Sequence, residues 1–281
     1  MTHYSLLMGS TSGAKAASGY TTKGAGQSFT ITVPTGYNAL HIQYSVGGGG
    51  GATGGISYDK AGGESSGRSG GSGAYLSDVI FSVSEGASYA ANTGSGGAGG
   101  NQTANFGHPK IASSGTRSRV NGLFQLNPGG GASLTGGGVQ GPRATGGSNG
   151  SAGSLSITGT RISSGSFFNS SNSLITIGNV SELRGGPRGT FNQSGNGSAG
   201  GWNGNCDGDN CRIGGRAGAT SYGGSVAGGT ASSASGSGTN GGNGSRGSGG
   251  GGGAAQVSGG GSTRGGSGGG GEMRYRFLNV F

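Results

Sequence analysis

Apolar and polar positions alternate in only a few stretches of this chain, and each of those stretches reads as a β-strand. Phe29, Ile31 and Val33 alternate ahead of Pro34-Thr35-Gly36. Leu40, Ile42, Tyr44 and Val46 follow, then a more continuous apolar run from Leu76 to Val83, and near the chain end Met273, Tyr275 and Phe277. Short runs rich in β-branched and aromatic residues, bounded by Gly and Pro, are strand signatures. Nothing repeats with the 3.6-residue period of an amphipathic helix. Ser84-Glu85-Gly86 predicts a turn between the strand ending at Val83 and Tyr89. In the strand from Leu40, His41 falls on the face opposite Leu40 and Ile42, which predicts a surface position on the sheet.

Between the strands the pattern is glycine. Of 281 residues, 78 are glycine, and from 238 to 253 glycine stands at every third position: Gly238, Gly241, Gly244, Gly247, Gly250 and Gly253. Three is the period of the polyproline II helix, so these runs predict left-handed polyglycine II rods; at roughly 3.1 Å per residue the longest would span on the order of 50 Å. Ordering glycine is entropically expensive, about 1–2 kcal/mol per residue, and brings no side chain to bury. The predicted compensation is close approach of backbones, donors meeting acceptors of neighbouring rods. The expected fold class is therefore mostly irregular and β: a small β base, a bundle of polyglycine II helices, and distal loops. Residues 1–46 would form an attachment segment and base strands. Residues 47–271 would form the glycine body, with base strands interspersed at 75–91, and residues 272–281 a closing strand.

Composition narrows the partners. Hydrophobic residues are 28% of the chain, too few for two ordinary cores. Lys and Arg number 17 against 8 Asp and Glu, a net charge of +9 that favours anionic partners such as nucleic acid, phosphorylated lipopolysaccharide or acidic capsule. The start, Met1-Thr2-His3-Tyr4-Ser5-Leu6-Leu7-Met8, lacks the basic and apolar regions of a secretory signal, and no run approaches the length of a membrane helix. Synthesis in a cytosol without membrane insertion is the expectation.

The stretch Phe29-Thr30-Ile31-Thr32-Val33-Pro34-Thr35-Gly36, then Leu40 to Val46 running into five glycines, Gly73-Ala74-Tyr75-Leu76, and Val83-Ser84-Glu85-Gly86-Ala87-Ser88-Tyr89 resembles the glycine-rich domain of bacteriophage tail fibres. The ending Gly271-Glu272-Met273-Arg274-Tyr275-Arg276-Phe277 is similar to that family's closing strand. The whole also resembles the receptor-binding tip adhesins of T-even-type long tail fibres. The resemblance implies a virion protein, assembled in the host cytoplasm and placed at the tail fibre tip. Its implied partners are a fibre shaft protein and a bacterial outer-membrane protein or surface polysaccharide, with no nucleic acid.

If glycine forms the body, recognition falls to clusters of other residues: Phe167 and Phe168, and above all the stretch with Phe191, Trp202, Asn203, Asn205, Asp207, Asp209 and Arg212. Aromatic faces stack on sugars or apolar loops, and Asn and Asp direct hydrogen bonds. Phe167 and Phe168 have a second reading as plugs at an end of the bundle. Cys206 and Cys211 flank Asp207-Gly208-Asp209-Asn210, a spacing that a disulfide closes, with two free thiols as the alternative in a reducing compartment. The run from Asn203 lacks the closing Glu of a calcium loop, Gly214 standing in its place. Three scattered histidines and eight scattered carboxylates give no acid-base pair, and Gly47 to Gly51 lacks the Gly-Lys-Ser/Thr ending of a phosphate loop. No enzyme and no cofactor is expected. A receptor-binding adhesin leads; a glycine/arginine-rich nucleic-acid-binding protein and a structural or ice-binding glycine protein are the alternatives.

Overall fold

The computed structural model describes residues 15–53, 67–100, 110–135, 146–148, 150–178, 193–195, 206–207, 210–211, 240–253 and 264–281. These residues form seventeen strands and no helix. One five-stranded antiparallel sheet has the order β1 (Thr21–Lys23), β17 (Met273–Leu278), β3 (Ala39–Val46), β4 (Tyr75–Ser82), β14 (Gln193–Gly195). A second has the order β11 (Leu155–Ile157), β8 (Phe124–Leu126), β7 (Ser118–Val120), β5 (Ser88–Asn92), β2 (Ser28–Thr32). Smaller sheets are β10 (Gly146–Ser148), β9 (Ser133–Thr135) and β6 (Lys110–Ile111), and the hairpins β12 (Ser166–Phe168) with β13 (Leu174–Thr176) and β15 (Cys206–Asp207) with β16 (Asn210–Cys211).

The two large sheets pack face to face. Leu40, Ile42, Leu76, Val79, Phe81, Met273 and Tyr275 of the first meet Ile31, Ala91, Val120, Phe124 and Leu126 of the second in one buried cluster, with the Phe81 and Phe124 rings stacked 5.7 Å apart. Burying such side chains stabilises by about 1.5–3 kcal/mol each. The opposite face of the first sheet is also covered: Ala39, Ile80 and Leu278 pack under Phe167, Ile175 and Ile177 from the β12–β13 hairpin and its continuation. His41 lies on that covered face and is fully buried, which corrects its expected surface position.

The alternation in β3 is interrupted. Leu40 and Ile42 enter the main cluster, whereas Tyr44 and Val46 gather with Tyr75 in a separate one. The register of β17 shifts opposite Gln43, between Arg274 and Tyr275, and Asp78 of β4 takes a left-handed φ of 49°. A bulge of this kind turns the following side chains to the other face.

The expected polyglycine II bundle is corrected by this architecture. The regular structure is all antiparallel β, more extensive than a small base, and polyglycine II helices are not shown. Strands of three residues, invisible to composition, supply three of the five strands of the second sheet. The 238–253 run is not a single rod either. Arg246 and Gly247 both adopt left-handed φ, 42° and 77°, Ser248 N donates to Ser245 O, and the chain doubles back so that Gly251 N donates to Gly242 O.

The glycine segments between strands form a backbone lattice nonetheless. Along 47–53, all buried, successive N–H groups point to three different neighbours in rotation. Gly47, Gly50 and Thr53 donate to Ala74, Gly71 and Arg68; Gly48 and Gly51 to Thr116 and Ser113; Gly49 and Ala52 to Gly269 and Gly266. The carbonyls of Gly48 and Gly51 accept from Gly129 and Ala132, those of Gly49 and Ala52 from Gly97 and Gly100, and those of Gly50 and Thr53 from Gly250 and Gly253. Six segments thus surround one, and every backbone N–H of the central segment is satisfied, as burial requires. A Cβ on Gly50 would stand 1.9 Å from Gly130 O, and one on Gly49 1.9 Å from Ser248 O. The side chain is absent here because a neighbouring carbonyl occupies its place.

Candidate ligand-binding surfaces

The lattice has two different ends. At one, Val46 N donates to Glu272 O, Gly47 N to Ala74 O, and Ser118 Oγ to Val46 O, so the glycine segments continue into the strands of the sandwich. At the other, Thr53 N donates to Arg68 O, Gly67 N to Gly253 O, Gly253 N to Thr53 O and Gly100 N to Ala52 O. The chain leaves the lattice there at Thr53, Gly100 and Gly253 and re-enters it there by Gly67, Ala112 and Arg264, the last paired through its carbonyl with Gly241 N. Seven residues, roughly 20 Å of extended chain, separate these exits from the sandwich. Residues 15–18 and 278–281 lie on the sandwich side: Ala17 N donates to Phe168 O, and Ser166 and Phe281 exchange both backbone hydrogen bonds.

The residues singled out in the sequence fall in several places. Phe167 is fully buried on the covered face of the first sheet, pairing in register with Ile175, with the Arg276 guanidinium 5.6 Å from its ring centre. Phe168 is half-buried, its ring 5.6 Å from that of Phe281. Both sit beside residues 15–18 and 278–281 rather than at the exits of the lattice. Cys206 and Cys211 are direct partners across the β15–β16 pair, and Asp207 is opposite Asn210. Phe191, Trp202, Asn203, Asn205, Asp209 and Arg212 lie outside the described residues. The flanking β14 pairs with Tyr75, Leu76 and Ser77 of β4 at the edge of the first sheet.

A cleft of about 880 Å³ that the sequence reading missed opens where the second sheet meets the lattice. It is lined by Ser28, Phe29 and Thr30 of β2, Ala90 to Asn92 of β5, Gly115 to Arg117 and Arg119 around β7, and Asn127 with Pro128. Strand alternation explains its chemistry. Ser118 and Val120 point inward and are buried, leaving Arg117 and Arg119 on the outer face. Neutral amides orient both cations: Arg119 Nε donates to Asn92 Oδ1 at 3.0 Å and Arg117 Nη1 to Gln125 Oε1 at 3.3 Å. Asn92 Nδ2 donates to Arg117 O at 2.6 Å, and Gln125 Nε2 to Asn127 Oδ1 at 2.8 Å. The signal available in the sequence was Arg117-Ser118-Arg119, two cations two residues apart and hence on one face of any strand.

A buried polar cluster lies on the covered face of the first sheet. His41 Nε2 is 3.3 Å from Asp78 Oδ1, Arg276 Nε donates to His41 Nδ1 at 3.2 Å, and Ser77 Oγ donates to Asp78 Oδ2 at 3.2 Å. Burial and then the Arg276 charge hold His41 well below the ordinary histidine value, so the ring is neutral, accepting at Nδ1 and donating from Nε2. The Tyr20 ring caps Arg276, 4.5 Å from its guanidinium carbon. With His41 and Asp78 wholly enclosed, the cluster has no access to a substrate and reads as structural. Among the described residues no group of His, Cys, Asp and Glu is placed to hold a metal ion, and no helix is long and apolar enough to cross a membrane.

No curated protein matches this chain. A family model described as a glycine-rich domain matches residues 9–278, across both large sheets and the lattice between their strands. The protein belongs to this glycine-rich domain family.

Proposed function

We propose that this protein is a bacteriophage tail fibre adhesin that recognises a bacterial surface receptor, an outer-membrane protein or surface glycan, and acts at the fibre tip of the virion. The observation that carries the reading is the polarity of the lattice. Connections at 54–66, 101–109 and 254–263 all leave and return at the end facing away from the sandwich, whereas residues 15–18 and 278–281 lie on the sandwich side. Attachment to a fibre shaft through the sandwich would then leave the flanks of these connections, Thr53, Gly67, Gly100, Gly253 and Arg264, at the end turned away from the shaft. Anchoring them on a lattice without side-chain freedom lowers the entropy lost when they dock, and loops on a rigid scaffold are the usual place for recognition. The positive charge of the chain suits the anionic outer surface of a bacterium.

The test is binding of the purified chain to envelope fractions from a panel of bacteria, together with competition against phage adsorption. Saturable binding to one host's envelope and inhibition of adsorption are expected. Replacing residues 54–66 by a Gly/Ser linker of equal length should weaken both while leaving the melting temperature unchanged. Absence of binding to every envelope fraction would overturn the reading.

A further inference from the structure

We infer that the cleft between the second sheet and the lattice is a binding site for an acidic saccharide, its charge carried by carboxylate or phosphate. The site goes beyond the adhesin reading and is separate from the lattice exits.

Its charge is uncompensated within the cleft. Arg117 and Arg119 are the ionisable side chains among the lining residues, and none of that lining is acidic. Their positioning bonds run to the neutral amides of Gln125 and Asn92, so orientation is gained without neutralising either cation. A guanidinium held in this way is preorganised for carboxylate or phosphate, which it binds through paired, charge-assisted hydrogen bonds.

The remaining lining favours a sugar over a nucleic acid. Hydroxyls of Ser28, Thr30 and Thr116 suit a ligand covered in hydroxyl groups. Nucleic acid without sequence preference is held by aromatic platforms on which bases stack. The cleft has one aromatic ring, Phe29, and it is already stacked on Tyr275 at 6.3 Å with Lys23 5.1 Å from its centre. The cleft's volume admits an oligosaccharide rather than a single ion.

Titration calorimetry on the full chain tests the site with four probes: an oligogalacturonate, its methyl-esterified neutral form, a phosphorylated oligomannose, and a single-stranded DNA oligonucleotide of matched charge. Binding of the oligogalacturonate or the phosphorylated oligomannose, and not of the neutral ester, is expected, and which of the two binds identifies the anionic group. The double variant R117Q/R119Q should lose about ten-fold or more in affinity. Should that variant fold poorly, Ala90→Glu sets a carboxylate at an exposed lining position and should weaken binding without removing either arginine. Failure of both acidic saccharides to bind would overturn the site, as would unchanged affinity in folded R117Q/R119Q or A90E, or equal binding of the oligonucleotide. No cells enter the assay, so its outcome is independent of whether the chain attaches to a bacterium.

Discussion

The sandwich and the glycine lattice are both solid, yet they are solid for opposite reasons. In the sandwich, the two facing sheets are spaced by side chains, and cohesion between them comes from Leu, Ile, Val and Phe interlocking. In the lattice, side chains are nearly absent, and cohesion comes from amide hydrogen bonds that leave each segment in several directions. The comparison shows two ways to offset chain entropy. One removes apolar area from water; the other satisfies every buried donor at close range with atoms that cannot move far. The first tolerates a lost methyl and resents a lost ring, whereas the second has no room for an added carbon at positions such as Gly49 and Gly50.

The largest expected effect comes from emptying the sandwich. Phe81→Ala removes a fully buried ring stacked on Phe124 and should cost about 3–5 kcal/mol, read from the shift of the urea midpoint. Next comes the reverse operation in the lattice. Gly50→Ala adds one carbon that would meet Gly130 O at 1.9 Å and its carbonyl carbon at 2.4 Å, at the upper end of the 1–3 kcal/mol that overpacking costs, about 3 kcal/mol. Gly19→Ala is the control, since nothing lies within 4 Å of its Cβ, and it should change stability by less than about 0.5 kcal/mol. Equal effects of G50A and G19A would break the distinction between the two kinds of core.

A smaller loss is expected where the regions are stitched together. Ser118 lies in β7 of the sandwich, but its Oγ donates to Val46 O at 2.6 Å and accepts from Gly94 N at 2.8 Å, joining two segments at the root of the lattice. Ser118→Ala leaves the Gly94 amide without this acceptor and should cost about 1–2 kcal/mol, within the range for an orphaned buried group. Hydrogen exchange at Gly94 should accelerate in the variant while the amide of Phe81 stays protected.

The two regions also differ in how far the sequence discloses them. Alternation at Phe29 to Val33, Leu40 to Val46, Leu76 to Val83 and Met273 to Phe277 located β2, β3, β4 and β17, and the turn at Ser84 to Gly86 is present, with Ala87 N bonded to Ser84 O. Strands such as β7, β8 and β11 escaped because three residues hold too few alternations to stand out. The bulge at Gln43 was hidden for a related reason: Leu40 to Val46 alternates perfectly in sequence while the backbone flips its faces midway. Triplet spacing of glycine signalled close backbone approach, but it carried no record of where the chain reverses. That information sat in Arg246-Gly247 and the Ser245–Ser248 pair. The acidic-saccharide cleft is assembled from β2, β5 and β7, and no local window of sequence contains it.

Acid is the mildest way to separate the regions, because it acts on one buried group. The lattice segments from 47 to 53 hold no titratable side chain, so their hydrogen bonds should be indifferent to pH between 5 and 8. The sandwich holds His41, whose proton affinity is lowered in the folded state by burial and by Arg276. The unfolded chain therefore takes up this proton more readily than the folded one. Stability is full above the ordinary histidine value of about 6.5 and declines as pH falls below it toward the lowered folded value. Asp78 Oδ1 lies 3.3 Å from Nε2 of the neutral ring, and the Arg276 guanidinium adds to burial in disfavouring its protonation. Thermal melts at pH 7.5 and pH 5.5 should show a drop in midpoint for the native chain and a smaller drop for His41→Gln, which keeps a donor and an acceptor but cannot titrate. An identical drop in both would move the acid sensitivity away from His41 and remove this contrast between the two regions.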